Sequence, residues 1–105
     1  MYDLYAIAEE HLVAAHRSEH GRSANLLVRE RPLRQTIIAL TAGTKLDEHN
    51  APPAGSLQVL RGVVKLTTAS EEVELTMGDL FLLPQERHGL TAITDTAFLL
   101  TAVND

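Results

Sequence analysis

The apolar period of this 105-residue chain changes once, and that change does most to limit what it can fold into. Leu4, Ile7, Ala8, Leu12 and Ala15 recur at three- and four-residue steps, which makes one face of an amphipathic helix. From Ser23 onward the step is two, and no helix-length pattern returns. The spacing predicts a helix over 4–16, with Asp3 as its N-cap and Gly21 as a left-handed exit. It then predicts strands over 24–29, 33–40, 46–51, 56–61, 63–68, 72–76, 80–83, 89–93 and 97–103. Val73 and Leu75 alternating with Glu72, Glu74 and Thr76 typify a strand buried on one face. Turn formers separate the runs: Pro32, Gly43, Pro52-Pro53, Gly62, Gly78-Asp79, Pro84 and Thr94-Asp95. Short strands at regular spacing point to an all-β sandwich or barrel. The expected organisation is a helix and lead-in over 1–22 and a β-barrel over 23–105, together one domain.

Composition removes several classes of function. Nine Lys and Arg against 14 Asp and Glu give a formal charge of −5, with no basic stripe to neutralise a phosphate backbone. Two Tyr and two Phe leave little for base stacking, so no nucleic-acid partner is expected. The chain has no cysteine, so thiolate metal sites and cysteine nucleophiles do not arise. Its apolar runs are too short to span a bilayer, and the acidic, His-bearing first twenty residues are unlike a signal peptide. The expectation is a soluble cytoplasmic protein with no membrane partner.

Two segments carry a recognisable pattern. Gly43 is followed by five residues and His49, one and Ala51, three and Gly55, then six and Gly62. Further on, Gly78 is followed by five residues and Pro84, then by His88, with Ala92 four places later. The pattern resembles the two cupin motifs, G-x5-H-x-H-x3-E-x6-G and G-x5-P-x-G-x2-H-x3-N, across about 33–103. In the second motif His88 comes one position early, without the intervening glycine. The resemblance implies a cupin-type double-stranded β-helix, a jelly-roll barrel, behind a short N-terminal helix. Gly62 and Gly78 sit at strand junctions where a positive φ or a tight turn is needed, which is a scaffold requirement rather than a chemical one.

In metal-binding cupins the two histidines and the glutamate of the first motif, with the histidine of the second, hold one divalent ion inside the barrel. Carried over by position, His49 and His88 remain, while Ala51 and Gly55 occupy the other two ligand places. Methyl and hydrogen ligate nothing, and catalytic zinc or iron ordinarily takes three protein ligands. Strand alternation puts Asp47 on the face of His49, so Asp47 could complete a two-His, one-carboxylate set. The resulting expectation is a small molecule, or weakly held iron, zinc, nickel or manganese, bound in the barrel through His49 and His88. A metal-dependent enzyme of dioxygenase or isomerase type using His49, His88 and Asp47 is the alternative. A structural module with a filled barrel is the third. The unbroken register of the first motif also predicts that Ala51→His with Gly55→Glu rebuilds a metal centre. Truncating either histidine should cost on the order of 1–2 kcal/mol or less, whereas Phe81 and Leu60 read as core residues.

His11, His16 and His20 are expected to lie on a solvated helix surface. Arg17, Arg22, Arg29, Arg31 and Arg34 make the N-terminal third basic, with salt bridges to Glu19, Glu30 and the barrel acids as the expected outlet. Asp79 is expected to fix its turn by bonding to the backbone. Residues 36–40 and 97–103 are apolar on both faces and need cover on both, which predicts a homodimer.

Overall fold

The computed structural model describes residues 1–104, with His49 described in its backbone alone. Helix α1 (Leu4–Arg17) begins where the Asp3 carboxylate accepts the Ala6 N–H at 3.2 Å, and it carries His16 and Arg17 in its last turn. Gly21 does take a left-handed φ of +69°, but four residues past the helix, where the chain turns into the first strand. No helix among the described residues is long and apolar enough to cross a membrane.

Nine strands follow among the described residues: β1 (Arg22–Glu30), β2 (Leu33–Leu40), β3 (Lys45–His49), β4 (Ala54–Arg61), β5 (Val63–Thr67), β6 (Glu72–Thr76), β7 (Leu80–Leu82), β8 (His88–Ala92) and β9 (Thr96–Val103). They form two antiparallel sheets, ordered β1-β2-β9-β4-β7 and β3-β8-β5-β6. The expected strand over 46–51 stops at His49 because Pro52 and Pro53 have no N–H to extend a ladder. At the other end of the second motif, Asp79 behaves as expected: its side chain accepts the Thr76 N–H at 2.8 Å and closes the β6–β7 turn.

Alternation sorts the central strands into two cores. Leu40, Leu57, Val59, Val64, Leu66, Leu75, Leu90 and Phe98 are buried between the sheets. Ile37, Ala39, Leu60, Ala97 and Leu99 face outward from the larger sheet and are buried under α1, against Ala8 and Ala15. The small alanines let the helix lie close to the sheet. The doubly apolar strands are therefore covered within the chain, so they no longer argue for a second subunit. Polar contacts add to the helix docking: Arg61 Nε donates to Glu9 at 2.6 Å, and its guanidinium lies 5.4 Å from the Tyr5 ring centre. His11 Nδ1 meets Ser23 Oγ at 2.7 Å, and His16 Nε2 meets Asp95 Oδ2 at 2.5 Å. His11 and His16 thus bind the helix to the barrel, His16 from the solvated helix surface, where 57% of its side chain stays in water. The Ala42 backbone N–H, and then His16, hold the Asp95 carboxyl below the ordinary carboxylate range.

Candidate functional site

His88 opens β8 and is 1% exposed, in an interior otherwise built from aliphatic side chains and Phe98. The other buried polar side chain among the described residues, Thr96, donates its hydroxyl to the Arg61 carbonyl at 2.7 Å. His88 Nδ1 lies 3.0 Å from the Glu86 carbonyl oxygen, which can only accept, so Nδ1 carries the proton. In the neutral ring the lone pair then belongs to Nε2, the nitrogen that can accept a hydrogen bond or ligate a metal. This backbone tether is the kind of outer contact that fixes tautomer and orientation at ligating histidines.

Edge strand β3 pairs with β8, and His49 stands opposite His88 in the backbone register. The side chain of His49 lies outside the described residues. Between Leu46, paired with Leu90, and His49, paired with His88, Asp47 and Glu48 oppose the single residue Gly89. Gly89 eases the close approach at this bulge, since a Cβ there would come 3.2 Å from the Leu46 carbonyl oxygen and push it back by a few tenths of an ångström. Simple alternation is broken at this point and no longer determines whether Asp47 shares a face with His49. Asp47 is exposed and lines a groove with Lys45, Lys65, Glu72 and Thr91 on the outside of the smaller sheet. Among the described residues, no group of three or more His, Asp or Glu comes together as a potential metal site.

The two altered motif positions lie at one end of the barrel. Ala51 and Pro52, with Leu83, Leu100 and Ala102, line an apolar hollow of about 370 Å³ rimmed by Asn50 and Asn104. Gly55 is buried at the start of β4, and a Cβ there would meet the Thr101 carbonyl oxygen at 2.9 Å and Leu83 at 3.0 Å. The Thr101 carbonyl belongs to the β4–β9 ladder and cannot swing aside as a flexible side chain would. The expected repair of the centre by Gly55→Glu therefore meets backbone, although the motif's spacing is intact. Two of the four positions that the resemblance assigns to metal ligands, Ala51 and Gly55, carry no donor atom. No catalytic step is derived through a metal ion.

No protein-family model and no curated protein matches the sequence. Solved structures do match the fold. A conserved protein of unknown function from Streptococcus pyogenes superposes with a TM-score of 0.75 at 22% identity, over 84% of this chain and 78% of that one. A cupin-superfamily protein from Desulfitobacterium hafniense also gives 0.75, at 14% identity over 80% and 78% of the two chains. The fold is that of a small cupin. Salicylate 1,2-dioxygenase from Pseudaminobacter salicylatoxidans shares this cupin fold with a TM-score of 0.78 at 19% identity, over 93% of this chain but 33% of its own. Cupin structures thus accompany both enzymes and proteins of unassigned activity, and the likeness establishes the architecture alone.

Proposed function

We propose that this cupin-fold chain is a cytoplasmic binding protein that takes a small molecule at the mouth of its barrel, with His88 and His49 as the polar contacts. The observation that carries the reading is His88: a buried imidazole, held in one tautomer by the Glu86 carbonyl, in an otherwise aliphatic interior. The hollow beside Ala51, whose lining does not include His88, offers Leu83, Leu100, Ala102 and the two prolines to a compact, largely apolar ligand. Iron, zinc, nickel or manganese could be held weakly by the same imidazoles. A dioxygenase- or isomerase-type reaction would need a third ligand, for which Asp47 is the candidate.

The test is an NMR titration with two probes, salicylate and its neutral analogue salicylamide, and a separate titration with Zn²⁺. Shifts from at least one organic probe should gather at Ala51, Leu83, Leu100 and Ala102. They should vanish in Ala51→Trp, which fills the mouth, and in folded His88→Ala. Silence from both organic probes, or shifts that survive both substitutions, would remove the reading. Zn²⁺ binding that persists in His88→Ala would place any metal elsewhere.

A homodimer is the assembly we propose, now on a different surface. Edge strand β7 presents Leu80 and Leu82 with 70% and 77% of their surface in water, beside exposed Met77. An aliphatic edge strand left open is a ready surface for a second copy. Sedimentation should give a dimer that Leu82→Lys converts to monomer; a native chain that sediments as a monomer at micromolar concentration sinks the proposal.

A further inference from the structure

Of the five arginines clustered in the first third of the sequence, none forms an ion pair among the described residues. The ion pairs join His16 to Asp95, Arg61 to Glu9 and Lys65 to Glu72. One of these arginines, Arg22, shares a hollow of about 280 Å³ with His20 and Lys45. The hollow lies at the seam between the two sheets, because Arg22 opens edge strand β1 and Lys45 opens edge strand β3. It shares no lining residue with the barrel mouth. The side chains of His20, Arg22 and Lys45 have no hydrogen bond or ion pair among the described residues; Asp47, Glu48 and Glu72 line the neighbouring groove, which Lys45 borders as well.

The backbone fixes this grouping. Gly21 sits between His20 and Arg22 at a φ of +69°, its N–H bonded to the Ser18 carbonyl and its carbonyl accepting the Thr41 N–H at 2.9 Å. A Cβ at Gly21 would come 2.5 Å from Thr41 Oγ1 and 2.6 Å from Thr44 Oγ1, so the turn is pressed onto the threonine pair that immediately precedes Lys45. The hollow therefore gathers cationic side chains without a carboxylate in a chain whose net charge is −5. The neighbouring groove holds Lys65, the chain's other lysine, with Thr91 paired between the two, but there Glu72 meets the Lys65 charge at 3.0 Å.

From this arrangement we infer that the hollow binds a phosphoryl dianion, as inorganic phosphate or the phosphate group of a small phosphomonoester. An Arg fork spans two phosphate oxygens, while Lys acts as a point charge on a flexible stem. The imidazole supplies a further N–H. A carboxylate brings one charge and two oxygens and would satisfy this set less well.

The experiment titrates inorganic phosphate and methyl phosphate into the full chain, with acetate at matched ionic strength as control, and follows backbone amide shifts. Saturable one-to-one shifts confined to residues 20–22 and 41–45 are expected, with acetate at least tenfold weaker. Arg22→Gln and Lys45→Gln, both exposed, should leave the fold unchanged and each weaken phosphate binding about tenfold. Non-saturating shifts spread over the surface, acetate equal to phosphate, or unchanged affinity in both variants would overturn the site. Saturation by inorganic phosphate but not methyl phosphate would restrict the ligand to the free ion; saturation by both would admit the ester.

Discussion

Gly62→Ala should destabilise the protein by about 3–5 kcal/mol, enough to remove most of the stability of a domain this size. Gly62 turns the chain from β4 in the larger sheet to β5 in the smaller one at a φ of +76°. A Cβ there would come 2.0 Å from the Asp95 carbonyl oxygen, far inside any permitted contact. The corner is held on every side and cannot relax cheaply. Arg61 accepts the Thr96 hydroxyl, the Gly62 carbonyl accepts the Met77 N–H, and the Val63 N–H reaches Thr94 Oγ1 at 3.0 Å. Gly78→Ala is the control, because Gly78 also has a positive φ of +95° but open space where its Cβ would stand. It should cost only the backbone strain, about 1–2 kcal/mol. Urea unfolding of the two variants separates the terms, and equal losses would show that the Asp95 contact contributes nothing.

Phe98→Ala should cost about 3–5 kcal/mol through the cavity it leaves. Phe98 is 0% exposed on β9, which lies between β2 and β4 with Ile38 and Val59 as its cross-strand neighbours. Those flanking strands are tied to β9 along their length, so they cannot close in to fill the gap. Phe81, which the apolar run over 80–83 also marks as core, is half-buried on short edge strand β7 and packs at the margin of the cluster. Phe81→Ala should therefore lose clearly less than Phe98→Ala by chemical denaturation. Matching losses would mean that the edge strand is packed as firmly as the centre. Leu60 is buried, but in the second core beneath α1, so its removal loosens the helix rather than the barrel.

Local physical chemistry made much of the architecture legible. Helical spacing from Leu4 to Ala15 identified the face that is buried, Asp3 identified its cap, and period-two patterning with turn residues placed nine strands to within a few residues. The left-handed glycines at 62 and 78 could be read because their need for a positive φ is a property of the turn itself. The motif spacing also singled out His88, whose burial at the start of β8 is a matter of the fold and not of a tested role.

Where a side chain points, and what faces it, was decided by the tertiary structure. One extra residue opposite Gly89 interrupts the alternation that grouped Asp47 with His49, and nothing in the run from 45 to 49 announces a bulge. The space at Gly55 is narrowed by a carbonyl from β9, 46 residues away along the chain, so an intact motif spacing concealed a position where any side chain must displace backbone. His16 finds Asp95, and Arg22 finds Lys45, only because the barrel folds their strands and turns to the same place. Periodicity, capping and glycine strain act over a few neighbouring residues and are therefore written in order along the chain. Burial, ion pairing and the shape of a site depend on segments that meet only after the two sheets have closed.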